Sequence, residues 1–429
     1  MNNKRKLHSN LLLLLMMATG SVCLPNKSLV AQGAHAPYPV YDTKTVLQHG
    51  PYLLNPTQSG LTICFYTAGE SAAKIVYWKN GDEDAKQTAQ SQKYGLVPVG
   101  KMHSIRLENL SPGTTYKYRV VSRRVLDLRP YWPEMGTWTE SPTYSFTTFG
   151  DSNSKSVSFS LITDTHEHVD WIRNYMKIID WDKTDFLVNN GDVVDYAQNR
   201  QQLFSNAITP LVRPLAHSKP LLYVRGNHEN RGQFARELFK YLPPIKEGMY
   251  YYSGDNGPLH FVVLDTGEDK DDTTSVYAGL NDFQEYRREE YDWFSRHIDT
   301  SESLKKAPFR VIFMHQPQWG FTGGENDKWT ALANKANINI ILAGHWHRFG
   351  WFKPGEFHGN KYYMLVLGQH QVENVTVSDK YMDIEVKNDD NKVIFSARLD
   401  TKGNLKESYL AEELKAEQDK MLQRMKRSK

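Results

Sequence analysis

From about residue 45 to 150 the chain alternates short apolar or apolar/polar runs, at 61–66, 74–78, 103–107 and 116–121, with turn residues. A period of two buries one face of an extended strand, so this stretch predicts a small all-β sandwich. After a four-residue linker at 152–155 the rhythm changes. Runs rich in Val, Ile, Leu and Phe, at 157–163, 186–189, 221–224, 261–264, 311–314 and 338–342, alternate with longer amphipathic stretches such as 201–215 and 281–298. Strands apolar on both faces, interleaved with helices, predict a layered α/β domain over residues 155–400. Closely spaced runs at 362–367, 381–386 and 392–399 are expected to complete its second sheet. From about Lys406 the pattern predicts a charged helix over 405–429, laid on the domain surface through Leu410, Leu414, Met421, Leu422 and Met425.

The first residues follow a different logic. Lys4, Arg5 and Lys6 precede an unbroken apolar run at 11–17, the pattern of an export signal within a leader of residues 1–36. Seven apolar residues are too few to span a bilayer, so no transmembrane span is expected in the mature chain. Ala18 and Gly20 suit cleavage after Gly20, Ala34 and Ala36 offer a second place, and Cys23 a third outcome, a lipid anchor, although Val22 before it is bulky. A periplasmic, secreted or cell-surface protein is expected.

The chain has 52 basic and 49 acidic side chains, and the three basic residues within positions 1–23 account for the excess. A balanced mature chain lacks the electrostatic footprint of a nucleic-acid binder. Of the two cysteines only Cys64 survives removal of the leader, which excludes an internal disulfide and a thiolate metal cluster.

Chemistry enters where the apolar runs stop. The run at 157–163 ends in Asp164 and His166, that at 186–189 in Gly191 and Asp192, and that at 221–224 in Gly226, Asn227, His228 and Glu229. The run at 311–314 ends in His315, and that at 338–342 in Gly344, His345 and His347. Sites in open α/β sheets form at the carboxyl ends of strands, so the five groups are expected to converge on one crevice. Two carboxylates, one amide oxygen and four imidazoles without sulfur suit Zn, Mn or Fe. Seven donors exceed one ion's needs and fit two ions about 3.5–4 Å apart.

The ordered blocks Asp-x-His, Gly-Asp, Gly-Asn-His-Glu, His and Gly-His-x-His, spread over roughly 180 residues, resemble the signature of the calcineurin-like metallophosphoesterase superfamily. Residues 45–150 resemble a fibronectin type III domain, with Leu110, Pro112, Gly113, Thr114 and Tyr116 in the spacing of a tyrosine corner. Together they resemble the two-domain purple acid phosphatases. The resemblance implies that Asp164, His166 and His347 hold one metal, that Asn227, His315 and His345 hold another, and that Asp192 bridges them. It further implies in-line attack of a metal-bound hydroxide on a small phosphomonoester, with His228 stabilising the transition state or protonating the leaving oxygen, partnered by Asp195 or Glu229. A phosphodiesterase, or an exported binding protein with an inactive site, are the alternatives. The purple enzymes carry a metal-binding Tyr three residues after the bridging Asp; here that position is Asp195, with Tyr196 one place on. No purple phenolate colour and no firm preference for ferric iron are therefore expected, and Asp195 is left to orient a ligand.

Arg225 is placed either to grip phosphate with paired donors or to form an ion pair beneath the site. His168, two residues past His166, is a further candidate to face the pocket. The aromatic insertion from Arg129 to Trp138 is expected to pack at the domain interface or project over the crevice, and Glu268, Asp269, Asp271 and Asp272 to form a solvated loop. The Gly-rich stretch at 319–324 either lines the pocket or merely connects.

Overall fold

The computed structural model describes residues 44–214 and 217–427; the export leader, its cleavage places and Cys23 lie outside them. The N-terminal part consists of β1 (Leu47–Thr57), β2 (Gly60–Lys79), β3 (Gln87–Ala89), β4 (Gly100–Leu107), β5 (Thr115–Asp127), β6 (Glu134–Glu140) and β7 (Tyr144–Thr147). The runs at 61–66 and 74–78, expected as separate strands, are one strand. The first half of β2 pairs with β1 and β4 and its second half with β5 and β3, so a single strand serves both sides of the sandwich without an intervening turn. Leu53, Ile63, Phe65, Ile75, Tyr118 and Phe146 fill the core between them. The tyrosine corner is present: the Ser111 backbone N–H donates to the Tyr116 hydroxyl at 2.9 Å.

The α/β part continues with β8 (Ser156–Ile162), β9 (Phe186–Asn189), β10 (Leu221–Tyr223), β11 (Tyr252–Asn256), β12 (Leu259–Leu264), β13 (Phe309–Met314), β14 (Ile340–Ala343), β15 (Gly350–Phe352), β16 (Tyr363–Val366), β17 (Gln371–Ser378), β18 (Tyr381–Asn388), β19 (Val393–Asp400) and β20 (Leu405–Leu410). Strands β8, β9 and β10 run parallel in one sheet, and β12, β13, β14 and β16 in the other. Their inner faces meet through Phe159, Val188 and Leu222 on one side and Phe261, Phe313 and Leu342 on the other. The helix Val169–Ile178 and the helical run 200–212 cover the outer face of the first sheet, through Ile172, Tyr175, Phe204 and Leu211. The helices Phe283–Thr300 and Asn326–Lys335 cover the second, through Phe294, Ile298, Trp329 and Leu332. Burial on both faces is why these strands read as unbroken apolar runs.

Two expectations are corrected. The strands after residue 360 do not form one sheet: β16 lies beside β14, whereas β17 pairs with β8 and carries β18, β19 and β20 into the first sheet. Residues 405–410 are strand rather than helix, because β20 pairs along β19 and covers an edge that would otherwise be open. The helix begins at Glu412 and runs to Arg427; the Gln418 carboxamide fastens it by accepting from the Trp351 backbone N–H at 3.0 Å. Residues 152–155 lead from β7 into β8, and the two parts are joined a second time within a sheet. Leu54 of β1 pairs in parallel with Leu221 of β10, so one sheet runs through both. The Tyr52 hydroxyl donates to Tyr241 O and the Asn55 amide to Pro243 O, each at 2.6 Å.

Between the sheets lies one group that an apolar core does not tolerate well. Glu373 of β17 shares a face with Val375 and Val377, is completely buried, and both of its carboxyl oxygens lack hydrogen-bond partners. Burial pushes its carboxyl up to about 8. The folded value lies above the unfolded one, so the unfolded chain releases the proton first. Stability is then lost at up to about 1.4 kcal/mol per pH unit from the ordinary carboxyl range to about pH 8. Glu373→Gln is expected to remove that slope, so that its melting temperature exceeds the native chain's by a margin that widens from pH 5 to pH 8 in a thermal-melt series; a constant margin would refute the assignment.

Candidate metal centre

Each parallel strand hands its last backbone hydrogen bonds to a tight turn, and the turns carry the polar groups. Asp164, Asp192 and Asn227 follow β8, β9 and β10, and His315 and His345 follow β13 and β14. The carboxyl ends of both sheets therefore face one crevice, as the strand pattern predicts. The turns are strained: Asp164, His166, Asp192, His345 and His347 have φ of +53°, +41°, +52°, +70° and +55°. Side chains other than Gly rarely sit there, and such residues concentrate at functional sites. Close approach also explains two glycines of the motif. A Cβ on Gly226 would lie 2.2 Å from Asp192 Oδ1, and one on Gly344 2.1 Å from Thr163 Oγ1.

The side chains are held by one atom and present the other. Asp164 Oδ2 accepts from the Thr163 hydroxyl at 2.8 Å and the His345 backbone N–H at 2.9 Å, while its Oδ1 is buried without a hydrogen-bond partner. Asp192 Oδ1 accepts from the His228 N–H at 3.0 Å, and its Oδ2 is likewise unpartnered. His315 Nδ1 lies 2.7 Å from Asn190 O, an atom that only accepts, so Nδ1 carries a hydrogen and Nε2 is the atom left to bind a proton or a cation. His166 Nδ1 is fixed in the same way by Asp195 Oδ1 at 2.9 Å.

These free atoms crowd together. Asp164, His166, Asp192 and His347 each offer a ligand atom within 4.8 Å of the others, and so do Asp192, His315 and His345; Asp192 belongs to both groupings. His315 Nε2 stands 2.9 Å from Asp192 Oδ2 without the alignment of a hydrogen bond, and His166 Nε2 stands 3.1 Å from His347 Nε2. Lone pairs facing one another at such distances repel unless a proton or a metal cation lies between them. The titration behaviour points the same way. Burial lowers His315, but the Asp192 and Asp164 carboxylates outweigh it and push the imidazole up to about 10. Burial also drives His345 down to about 4, with the charge on His315 adding to the effect. Asn227 is buried with neither amide atom hydrogen-bonded. A cradle of unpaired buried donors suits two borderline cations sharing one carboxylate.

The remaining candidates sort themselves by contact. His228 Nδ1 lies 2.7 Å from the backbone carbonyl of Asp195, so its partner is neither the Asp195 carboxylate nor Glu229. Its Nε2 is left 4.0 Å from Asp192 Oδ2. Glu229 is buried and accepts from the backbone N–H groups of Asp192, Val193 and Gly226, locking the two turns together. Burial and the charge on Asp192 push its carboxyl up to about 7. Arg225 forms the ion pair rather than an open anion grip: its guanidinium reaches Asp265 Oδ2 at 2.6 Å and is packed among Tyr250, Phe283 and Tyr286. His168 is exposed and stacked on Trp171 at 3.8 Å, outside both groupings.

Two surface expectations fail. Glu268 is fully buried, not solvated, because Arg231 and the Tyr277 hydroxyl bind it at 2.8 and 2.9 Å. Tyr131 and Trp132, at 76% and 86% exposure, pack at no domain interface. In the Gly-rich stretch Trp319 is buried and donates to Thr330, so this part is scaffold. Arg231 escaped the motif reading, yet its Nη1 lies 3.1 Å from His228 Nε2. Its position three residues on in the same tight turn is the signal that places it there.

Comparison with known proteins agrees with this geometry. Residues 158–349 match the calcineurin-like phosphoesterase family, and residues 50–148 match the N-terminal domain of purple acid phosphatases. The chain is 24% identical over 316 residues to Purple acid phosphatase 22 of Arabidopsis thaliana, covering 68% of this chain and 64% of that protein. It is also 24% identical over 250 residues to Probable inactive purple acid phosphatase 1 of the same plant, covering 53% and 38%. It thus spans less than two thirds of these relatives' own length. A purple acid phosphatase from yellow lupin (Lupinus luteus) seeds superposes with a TM-score of 0.60 at 14% identity, over 86% of this chain and 74% of that one, which shows a common fold. Both parts are thus matched: residues 158–349 as a calcineurin-like phosphoesterase domain and residues 50–148 as a purple acid phosphatase N-terminal domain.

Proposed function

We propose that the chain is an exported phosphoesterase that hydrolyses small phosphomonoesters at a dinuclear metal centre. The observation that carries the proposal is Asp192, which belongs to two groupings of imidazole and carboxylate donors and whose unpartnered buried Oδ2 lies 3.8 Å from His166 Nε2 and 2.9 Å from His315 Nε2. In this reading Asp164, His166 and His347 would hold one ion and Asn227, His315 and His345 the other, with Asp192 available to both. Donors without sulfur suit Zn, Mn or Fe. When bound, such a pair supplies an activated water and stabilises charge at phosphorus.

The chain's own residues do the rest. The Asp195 carboxylate fixes the His166 tautomer, and the Asn190 carbonyl fixes that of His315, so each aims Nε2 into the crevice. The Asp195 backbone carbonyl keeps the Nδ1 hydrogen of His228 and leaves Nε2, beside Arg231 Nη1, as the atom that must first take up a proton from solvent before passing it to the leaving oxygen. Export rests on the leader pattern, and no described helix is long and apolar enough to cross a membrane.

Three outcomes are expected. Purified protein supplied with Mn, Zn or Fe hydrolyses nitrophenyl phosphate faster than its bis-nitrophenyl diester, and Asp192→Asn falls to background; a faster diester would make the enzyme a phosphodiesterase, and turnover retained by Asp192→Asn would sink the shared-carboxylate reading. Asp195→Ala, which frees the His166 ring, weakens metal affinity about 10- to 100-fold by metal titration, and an unchanged affinity would remove Asp195 from the site. Iron-loaded protein shows no visible phenolate band, since Tyr196 is half exposed; a purple protein would disprove this.

A further inference from the structure

Beside His228 the surface opens into a groove of about 600 Å³, lined by Arg231, Arg236, Val276, Tyr277, Leu280 and Asn281. It continues across Arg236, Leu280 and Asn281 into a larger depression of about 890 Å³ that includes Phe239, Pro243 and Tyr250. Volumes of this order are those of small-molecule sites. Three features mark the groove as built rather than incidental. Val276 and Leu280 are 70% and 67% exposed on one short turn, an apolar pair left open to solvent. The turn is nevertheless held rigidly, with the Tyr277 hydroxyl on Glu268 at 2.9 Å and the Arg236 guanidinium on Leu280 O at 3.1 Å. Asn281 Nδ2 is buried without a hydrogen-bond partner, a spare donor in the same wall.

Arg231 joins the groove to the metal centre. Its Nη2 is held by Glu268 and Asp269 at 2.8 and 3.2 Å, which orients the guanidinium so that Nη1 reaches His228 Nε2. An ester oxygen lying at His228 would have Arg231 on one side and the groove directly beyond. We infer that this groove is the subsite for the alcohol part of the substrate, and that it takes a bulky, aromatic group rather than a small polar one. The inference rests on the phosphoesterase reading above and adds the class of ester.

Turnover rates would confound ring binding with leaving-group reactivity, so the test is affinity. Binding of naphthylmethylphosphonate and methylphosphonate to the metal-loaded full chain is measured by calorimetry for the native protein and for Leu280→Asp and Val276→Asp, with thermal melts to establish that the variants fold. The native chain is expected to prefer the aryl phosphonate by about tenfold or more, and each variant to cut that ratio at least threefold. Equal affinities in the native chain, or a ratio that neither folded variant alters, would overturn the subsite. Aryl preference lost in the variants but unaccompanied by hydrolysis of nitrophenyl phosphate would retain the subsite and remove the phosphoesterase reading instead.

Discussion

Everything about the site depends on Asn190, a buried carboxamide that ties the two sheets together where their strands end. Its backbone N–H donates to Ile162 O, its carbonyl accepts from the Thr163 hydroxyl and His315 Nδ1, and its side-chain amide donates to Met314 O at 3.1 Å. One residue thereby fixes the ends of β8 and β13 and sets the tautomer of a histidine. Separately folded sheets would leave the donors of the first and of the second some variable distance apart. A metal pair demands a fixed one, and the hydrogen bonds of Asn190 to Ile162, Thr163, His315 and Met314 supply rigidity of that kind.

Much of this was legible in the sequence because the fold and the site obey the same rule. A strand buried on both faces must be apolar along its length, and the first polar residue after it marks where the backbone leaves the sheet. That is why Asp164, Asp192, Asn227, His315 and His345 could be located as strand ends without knowing which strands are neighbours. Partnership, by contrast, is not contained in the pattern. Nothing in the run 405–410 distinguishes a helix from an edge strand until the open side of β19 is known. Likewise, β17 went to the first sheet because β8 needed a neighbour, a fact of tertiary structure rather than of periodicity.

The same limit explains the polar residues that were misjudged. Glu268 read as part of an acidic surface run, since four carboxylates within five positions are normally solvated. Its burial is decided by Arg231, which lies 37 residues earlier and meets it only in the folded chain. Arg225 and Arg231 are both arginines flanking the Gly-Asn-His-Glu block, and the strand-end position favoured the first. The turn after the strand carries Arg231 toward His228 and leaves Arg225 pointing into the aromatic packing of Tyr250, Phe283 and Tyr286. Asp195 sets its carboxylate on His166 and its backbone carbonyl on His228, so one residue steadies two imidazoles.

The parallel pairing of β1 with β10 gives the N-terminal sandwich a role that its distance from the chemistry would not suggest. Strand β10 carries Asn227 and His228 at its end, and without β1 it would be an outer strand with a row of unpaired amides. The sandwich thus acts as an edge guard for the catalytic sheet, shielding it from pairing with other chains. Insertion or loss of sequence in the sandwich would accordingly be felt first as a change in solubility and in the order of the β10 turn, before any donor at the crevice was touched.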